Sequence, residues 1–406
     1  MTAGTITDPG LWRSGQDKID WAKQFMPVTA ALGTQFRTAG IVDGVRIGLS
    51  LVLEPKTANL ALVLAEAGAD VTVFCEGAST RDDVAAALFR SGIAVFARSD
   101  ADHATDHALA LGFLDRRHRI LVDDGAHLIE LAHAERGQVL QDVLAASEET
   151  TSGLWAVRAM EEAQTLRIPV IAANDAKCKT LFDNGYGTGQ SCVLTIQDLL
   201  DEPLAGKSVV VAGYGHVGRG VARAASALGG VVTVTEVDPV AALEALYAGF
   251  GVAPLVDAVA GADLVISATG IARTVALEHL LVLRRGAAVA VAGGVQDEIA
   301  VADALGSGAT RRALGERIDA LVLPNGNEVV ILDDGSCINC TAGEGNPIEI
   351  MDLSFGIQLS AVEYIARHGA ELGPGLHALP ASADHRVAEL KLASRGVRID
   401  NDGSRR

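Results

Sequence analysis

The stretch Val209-Val-Val-Ala-Gly-Tyr-Gly-His-Val-Gly-Arg-Gly220 decides the fold of this chain. An apolar run typical of a buried strand leads into Gly213, Gly215 and Gly218, which form a G-x-G-x-x-G pattern. A second apolar run then ends on Glu236, 23 positions after Gly213 (236 − 213). A strand, a glycine turn, a helix and an acid in this order predict a dinucleotide-binding βαβ unit.

Each part of the pattern has a role in holding a dinucleotide. Gly213 permits a tight turn, Gly215 lets the backbone approach a pyrophosphate, and Gly218 allows close packing of helix on strand. The following helix, which contains Val217, offers its positive dipole end to the phosphates. Glu236 accepts hydrogen bonds from the adenosine ribose and repels a 2′-phosphate, so the sequence predicts NAD rather than NADP. The alternative is a glycine turn that binds nothing.

The composition excludes several classes of protein. The chain has 406 residues, 49% of them hydrophobic, which is enough for two or three domains with large cores. It has no apolar run of about 20 residues and no basic segment followed by an apolar one at the N-terminus. The net charge of −18 disfavours a nucleic-acid surface. We therefore expect a soluble, cytoplasmic protein that binds a small molecule and neither nucleic acid nor membrane.

Five cysteines are scattered along the chain, which is typical of a reducing compartment. The segment Cys337-Ile-Asn-Cys340 has C-x-x-C spacing, but no second cysteine pair and no nearby histidine accompany it. The sequence therefore predicts no metal site. We expect the segment to be a buried strand or loop, and a redox role for the two cysteines is the alternative.

From about residue 44, apolar strands alternate with amphipathic helices. This alternation predicts an α/β protein with two Rossmann-like, doubly wound parallel-sheet domains and a cleft between them. We expect residues 1–189 to form the substrate-binding and catalytic domain and residues 190–345 to form the NAD-binding domain. Residues 346–406 are expected to return to the first domain and end in a short tail.

The polar segment 174–190 contains three glycines and places Lys179 and Asp183 four residues apart. If the segment is helical, the two side chains lie on one face. This spacing suits a functional pair and a solvated ion pair equally.

Four motifs, in order, resemble those of the S-adenosylhomocysteine hydrolase family. They are Ser147-Glu-Glu-Thr-Thr-Ser-Gly153, the polar segment with Lys179 and Phe182-Asp-Asn184, the glycine turn, and Thr235-Glu-Val-Asp-Pro239. The resemblance extends over most of the chain, and it implies a nucleoside substrate and tightly bound NAD. The family oxidises the ribose 3′-hydroxyl, removes the acidified 4′ proton, eliminates the 5′ substituent, adds water and reduces the ketone.

The resemblance also implies roles for individual residues. Lys179 and Asp183 would hold the ribose hydroxyls, Lys179 would act as the base, and Glu149 would bind the ribose. A lysine beside a positively charged nicotinamide is expected to have a lowered pKa, which suits a base. Asp124 matches the family carboxylate that works on the 5′ side. The residues expected to contact NAD or its nicotinamide ribose are Thr150, Thr151, Ser152, Asn184 and Asn339.

The departures from the family motifs fall at positions that serve the elimination and hydration steps. Val52, Gly294 and Asn346 stand where the family has histidines that serve 5′ elimination and hydration or line that pocket. Lys56 stands where the family has an adenine-contacting carboxylate, which leaves the base preference open. The resemblance implies a homo-oligomer, a dimer or a tetramer, although the family's long C-terminal tail, one means of bridging subunits, is absent from this sequence. The predicted substrate-binding residues are Glu54, Lys56, Thr57, Thr188, His127 and Asn346.

Three functions are compatible with this pattern. We favour a divergent enzyme that oxidises a nucleoside to a 3′-ketone and then epimerises, eliminates or releases it. The second function is ordinary reversible hydrolysis of S-adenosylhomocysteine to adenosine and homocysteine. The third is a non-catalytic NAD-binding regulator, against which the retention of Lys179, Asp183 and Asn184 argues. His127 and Glu54 are the candidates to replace the missing histidines, although both residue types are also common at surfaces.

Overall fold

The computed structural model describes residues 4–293, 295 and 297–400. It divides into unit 1, which comprises Met1–Thr180 and Ile348–Arg406, and unit 2, which comprises Leu181–Pro347. The first change of unit lies between residues 180 and 181, whereas the sequence places the domain boundary between 189 and 190. The functional labels given to the domains, and the cleft between them, stay predictions.

The described residues include fifteen strands. They are β1 (Arg46–Ser50), β2 (Asp70–Cys75), β3 (Ala94–Ala97), β4 (Ile120–Asp123), β5 (Ala145–Glu148), β6 (Pro169–Ala172), β7 (Ser208–Ala212), β8 (Val231–Thr235), β9 (Gly251–Val252), β10 (Leu264–Ser267), β11 (Ala288–Val291), β12 (Thr310–Gly315), β13 (Ile318–Val322), β14 (Glu328–Leu332) and β15 (Gly375–Ala378).

The same part of the chain contains seventeen α-helices, and a π-helical turn at Thr180–Gly187 lies within the polar segment. None of these helices is both long and apolar enough to cross a membrane. The helices are α1 (Trp12–Lys23), α2 (Pro27–Ala39), α3 (Pro55–Glu66), α4 (Asp82–Arg90), α5 (His103–Leu114), α6 (His127–Glu135), α7 (Thr151–Glu162), α8 (Lys177–Lys179), α9 (Thr188–Leu200), α10 (His216–Ala227), α11 (Pro239–Tyr247), α12 (Leu255–Ala258), α13 (Leu277–Val282), α14 (Val301–Gly306), α15 (Ile338–Thr341), α16 (Ile348–His368) and α17 (Ala381–Ser394).

Unit 1 is built on a seven-stranded sheet in the order β15-β6-β5-β4-β1-β2-β3. All its pairings are parallel. Strands β4, β5 and β6 are buried along their whole length, as expected when helices cover both faces of a parallel sheet. The strand order reverses between β1 and β4, so the carboxyl ends of these strands form a topological switch point, where ligands of such sheets bind.

Unit 2 contains an eight-stranded sheet in the order β12-β13-β14-β11-β10-β7-β8-β9. The strands from β14 to β9 pair in parallel, and the switch point lies between β7 and β10. The predicted α/β class with two doubly wound parallel sheets is therefore confirmed. The antiparallel edge formed by β12, β13 and β14 is an addition that the sequence analysis does not predict.

His118 is a buried polar residue just before β4. It is 2% exposed and lies on Phe113, with the two ring centroids 4.3 Å apart. Neither ring nitrogen has a hydrogen-bond partner among the described residues. Burial, assisted by the positive charges of Arg116 and Arg46, lowers the pKa of His118 from 6.5 to about 3. The folded chain therefore keeps this imidazole neutral at pH values where the unfolded chain protonates it.

This difference predicts a stability effect of His118→Phe. Between the two pKa values the unfolded chain binds a proton that the folded chain does not, so stability falls as the pH drops through 6.5. The variant removes this loss, which is about 2 kcal/mol at about pH 5. Urea unfolding at mildly acidic and neutral pH measures it. His107→Phe, at a half-buried histidine that pairs with Glu135, is the control. The same pH dependence of stability in wild type and His118→Phe would contradict a neutral imidazole at His118.

Candidate functional site

The glycine turn after β7 has the geometry that its sequence predicts. Gly213 has a φ of +93°, and a Cβ there would lie 3.0 Å from the Ala268 carbonyl oxygen. A Cβ on Gly218 would overlap the Gly213 carbonyl oxygen, so helix and strand pack closely. A Cβ on Gly215, in contrast, would meet no atom within 4 Å. This open space directly precedes α10 and fits the close backbone approach of a pyrophosphate.

Gly215→Ala is therefore expected to weaken NAD binding without weakening the fold. Its φ of −69° and ψ of −166° are allowed for alanine, and the methyl group projects into open space. We expect a Kd for NAD at least ~10-fold higher, with a melting temperature changed by about 2 °C or less. Calorimetric titration and thermal melting measure the two quantities.

The matched control for this prediction is Gly218→Ala. Its added methyl group overlaps backbone, so this variant is expected to lose thermal stability as well as NAD affinity. An unchanged NAD affinity in Gly215→Ala would show that the open space is not where the pyrophosphate lies.

Glu236 connects the end of β8 to the glycine turn. Its Oε2 accepts a hydrogen bond from the Tyr214 backbone N–H at 2.6 Å. Its Oε1 accepts from the N–H groups of Val237 at 2.7 Å and Asp238 at 3.0 Å. The carboxylate is thus held in place before any ligand binds, and its remaining lone pairs can accept ribose hydroxyls.

Glu298 is a supporting residue of this turn that the sequence analysis misses. It is fully buried, and the Ser267 hydroxyl donates to its Oε2 at 2.5 Å. The Thr269 hydroxyl contacts the same oxygen at 3.3 Å, and the Thr269 methyl group lies against the Gly213 position. Burial raises the pKa of Glu298 above its ordinary value. Glu298 therefore fixes the loop after β10 against the glycine turn. The sequence feature that could have indicated Glu298 is an acidic residue shortly after an apolar strand.

A second group of polar side chains in unit 2, the Asn346 cluster, consists of Asp183, Thr188, Ser191, Asn339 and Asn346. The Asn346 Oδ1 accepts from Ser191 at 2.8 Å and from Asn339 at 2.9 Å. The Asn346 Nδ2 donates to Thr188 at 3.0 Å and to Asp183. The structure thus brings together four predicted site residues, and it adds Ser191.

The remaining predicted residues of unit 2 lie beside these two groups. Asn184 is 6% exposed and follows Asp183 in the π-helical turn. Val217 is half-buried in the first turn of α10. Gly294 lies outside the described residues. Within the part of the chain that the structure describes, no group of three or more His, Cys, Asp or Glu residues could hold a metal ion.

In unit 1, Glu54 and Lys56 follow β1 at the switch point of the sheet. Their carboxylate and ammonium groups form a 2.6 Å ion pair, and both residues are buried. Thr57, also buried, donates from its hydroxyl to the Val52 carbonyl oxygen at 2.6 Å. Because a buried ion pair is costly to desolvate, its presence at the switch point of the sheet favours a functional role.

The neighbouring strand ends of β4 and β5 carry Asp124 and the segment from Glu149 to Ser152. Glu148 accepts from the backbone N–H groups of Gly125, Ala126 and Thr150, each at 2.8–2.9 Å. Burial and the nearby Asp123 and Asp124 carboxylates raise the pKa of Glu148 well above its ordinary value. Glu148 therefore connects the ends of β4 and β5. Among the predicted site residues at these ends, Asp124, Thr150 and Ser152 are half-buried, and Thr151 is exposed.

His127 differs from the other candidates on this edge because it is exposed. Its Nδ1 lies 3.2 Å from a carboxylate oxygen of Glu76, which is itself exposed. The proposed use of His127 as a substitute for a missing histidine therefore gains no support from burial or from a catalytic partner.

The Lys179 cluster consists of Lys179, Glu149, Gln358 and Ser147, all of them buried. The Lys179 Nζ lies 3.4 Å from the Glu149 Oε1. The Gln358 Nε2 donates to the Glu149 Oε2, and the Ser147 hydroxyl donates to Gln358 at 2.8 Å. The carboxylate that contacts the lysine is thus oriented by an amide on α16. A lysine paired in this way can exchange a proton at a fixed position.

Comparison with known proteins agrees with the predicted family. A family model described as "S-adenosyl-L-homocysteine hydrolase, NAD binding domain" matches residues 184–345. A second, "S-adenosyl-L-homocysteine hydrolase", matches residues 4–139. The chain is 42% identical to the adenosylhomocysteinase of Thermotoga maritima over 95% of this chain and 96% of that protein. It is 40% identical to the S-inosyl-L-homocysteine hydrolase of Methanopyrus kandleri over 97% of this chain and 94% of that protein.

The resemblance predicted from the sequence, the NAD cofactor and the enzymatic nature of the protein are therefore confirmed. The matched NAD-binding model lies wholly inside unit 2, which also contains the glycine turn and Glu236. Together, these findings show that the chain is an NAD-dependent enzyme belonging to the S-adenosyl-L-homocysteine hydrolase family.

Proposed function

We propose that this enzyme oxidises the 3′-hydroxyl of a purine nucleoside to a ketone as the first step of its reaction. The observation that carries the proposal is the buried Lys179 cluster, in which one ionisable amine is held by an oriented carboxylate. When bound, NAD supplies the acceptor for the hydrogen that leaves C3′ with its electron pair. The chain itself must supply the base that takes the hydroxyl proton.

Lys179 is the proposed base. Its amine takes the proton of the 3′-hydroxyl, and the Glu149 carboxylate stabilises the ammonium that forms. Because both groups are buried, water screens this attraction little. The 3′-ketone then makes the neighbouring 4′ C–H bond acidic, so a base at the same edge of the ribose can remove that proton too. Return of the proton from the opposite face gives epimerisation, and loss of a 5′ group gives elimination.

The residues at the positions of the family histidines, Val52 and Asn346, favour an outcome other than ordinary hydrolysis. Val52 cannot transfer a proton, and the Asn346 amide does not ionise near neutral pH. Asn346 also uses its amide to bind Asp183, Thr188 and two further side chains of the Asn346 cluster. We therefore propose that the 3′-keto stage leads to epimerisation, altered elimination or release of a modified nucleoside.

Ordinary hydrolysis is the second candidate, and the relatives are the observation that favours it. Two proteins that this chain matches over nearly their whole length at 40–42% identity are named as hydrolases of S-adenosyl- or S-inosyl-homocysteine. In this case Asp124 is the carboxylate available on the 5′ side. The curated hydrolases therefore define the activity against which the chain is to be tested.

We propose that the Glu54–Lys56 pair recognises the purine ring of the nucleoside. Adenine presents an N6 amino donor beside the N1 acceptor, and hypoxanthine presents an O6 acceptor beside the N1 donor. One carboxylate and one ammonium, 2.6 Å apart, complement both edges, with the two contacts exchanged. We therefore propose a purine substrate, and both adenine and hypoxanthine nucleosides belong in the assay.

Rapid mixing of the NAD-loaded enzyme with nucleosides tests the first step. Adenosine or inosine is expected to produce reduced nicotinamide, whereas 3′-deoxyadenosine is expected to produce none because it lacks the oxidised hydroxyl. Reduction by 3′-deoxyadenosine would place the oxidation elsewhere on the ribose. The absence of reduction with every nucleoside, with S-adenosylhomocysteine included, would favour a non-catalytic NAD-binding regulator.

We also propose that the protein acts as a homo-oligomer, dimer or tetramer, in the cytoplasm, as the family resemblance implies. Light scattering of the NAD-loaded protein measures the mass, and a monomer at cellular concentrations would contradict the first part of this proposal. Fractionation measures the location.

A further inference from the structure

We infer that Cys337 and Cys340 form a reversible disulfide that weakens NAD binding by displacing the side chain of Asn339. The inference rests on the proposed site role of Asn339 and Asp183, and it assigns a redox function to the C-x-x-C motif. The sequence predicts a buried strand or loop at this motif, and this prediction is wrong. Cys337 precedes α15, and Cys340 lies within it.

The backbone brings the two cysteines within reach of a disulfide. The Cys340 N–H donates to the Cys337 carbonyl oxygen at 3.0 Å. A turn closed in this way keeps the two Cα atoms within about 7 Å, and a disulfide requires about 4.4–6.8 Å. The two sulfur atoms lie 3.3 and 3.7 Å from the same Asn339 Oδ1, so they are at most 7.0 Å apart (3.3 + 3.7). Both thiols therefore face one side of the turn.

Exposure separates this pair from the other three cysteines. Cys337 and Cys340 are partly exposed, whereas Cys75, Cys178 and Cys192 are buried. Burial raises the pKa of the Cys75 and Cys178 thiols to about 12 and raises that of Cys192 as well. Because the thiolate is the reactive form, the three buried cysteines are poor nucleophiles. A soluble oxidant therefore reaches the C-x-x-C pair first.

The co-reactant is a low-molecular-weight disulfide such as oxidised glutathione. One cysteine thiolate attacks it, forms a mixed disulfide and releases one small thiol. The second cysteine thiolate then attacks the protein sulfur of the mixed disulfide and releases the other small thiol. The protein loses two protons and two electrons in total, and the small disulfide gains them as two thiols.

The consequence for the site follows from the hydrogen bonds of Asn339. In the reduced protein, both thiols can donate to its Oδ1, and its Nδ2 donates to Asn346 at 2.9 Å. Asn346 in turn donates to Asp183. Oxidation removes both S–H donors and draws together two sulfur atoms that each contact the Asn339 oxygen. Because its oxygen loses both donors, we expect the Asn339 side chain to turn away, and the Asn346 cluster then loses one of its contacts.

The test compares the NAD-loaded enzyme before and after treatment with oxidised glutathione. Thiol titration is expected to fall from five to three per chain, and peptide mapping is expected to join Cys337 to Cys340. The Kd for NAD is expected to rise about tenfold and to recover with dithiothreitol. Cys337→Ser and Cys340→Ser retain a hydroxyl donor to Asn339, so both are expected to bind NAD normally and to be insensitive to the oxidant. Cys75→Ser, the matched control, is expected to stay sensitive.

Three results would overturn the inference: no loss of thiols, a disulfide that joins other cysteines, or a Cys337–Cys340 disulfide with unchanged NAD affinity. None of these readouts requires turnover of a nucleoside. A failure of the proposed 3′-oxidation would therefore leave the disulfide and the affinity change intact, and the two failures are distinguishable.

Discussion

Lys179→Ala is expected to lower the rate of cofactor reduction by a nucleoside about 10²–10⁴-fold, because it removes the proposed base. The amine is buried and lies 3.4 Å from Glu149, so no solvent-exposed lysine can take its place at the same point. Stopped-flow absorbance of the reduced nicotinamide after mixing with adenosine measures the rate. NAD affinity is measured in parallel and is expected to change far less, since unit 2 holds the cofactor.

Two further variants separate the base from the structural role of Lys179. Lys179→Gln retains a polar hydrogen-bond donor in the cluster but cannot accept a proton, so it is expected to fold normally and to be as slow as Lys179→Ala. Lys177→Ala changes an exposed lysine of the same short helix and is expected to retain the wild-type rate. A Lys179→Gln variant that reduces the cofactor at the wild-type rate would exclude Lys179 as the base.

Glu236→Ala is expected to raise the Kd for NAD about 10–100-fold and to reduce the preference for NAD over NADP. Two effects contribute. The variant removes the acceptor for the adenosine ribose hydroxyls, and it frees the backbone N–H groups of Tyr214, Val237 and Asp238. It also removes a negative charge that repels the 2′-phosphate of NADP, so NADP affinity is expected to fall less than NAD affinity, or to rise.

Competition titrations with NAD and NADP measure this shift. Glu244→Gln is the matched control, because this exposed glutamate of the same unit pairs with Arg219 at 2.6 Å. Neutralising it is expected to leave both affinities within about twofold of wild type. Unchanged NAD affinity in Glu236→Ala would contradict the assignment of Glu236 to the ribose.

The fold follows from local sequence patterns more readily than the site does. One short stretch of sequence specifies the strand before Gly213, the tight turn and the helix after it. These elements can therefore be predicted from neighbouring residues alone. The parallel sheets follow from the alternation of strands and helices, and strand ends indicate where Glu54, Asp124 and Glu149 lie. Each of these inferences depends on neighbours along the chain.

The support for the site could not be predicted in the same way. Gln358 contacts Glu149 across 209 positions, and Asn346 contacts Asp183 across 163. Only the folded chain brings such pairs together, although a glutamine on the buried face of an apolar helix is a usable signal for Gln358. The sequence does not indicate the turn at Cys337, because a four-residue helix is too short to display a helical period. Segment 174–190 is mostly helical, a point that its sequence leaves open.

We propose that this enzyme retains the oxidation half of the family reaction, whereas the hydrolytic half is changed. One rapid-mixing experiment with S-adenosylhomocysteine tests it directly, with reduced nicotinamide and free homocysteine thiol recorded in the same reaction. We predict reduction of the bound cofactor, with thiol release at least about a hundredfold slower, because no imidazole is present at positions 52 and 346. Thiol release that keeps pace with cofactor reduction, followed by full reoxidation of the nicotinamide, would contradict this account and establish ordinary hydrolysis.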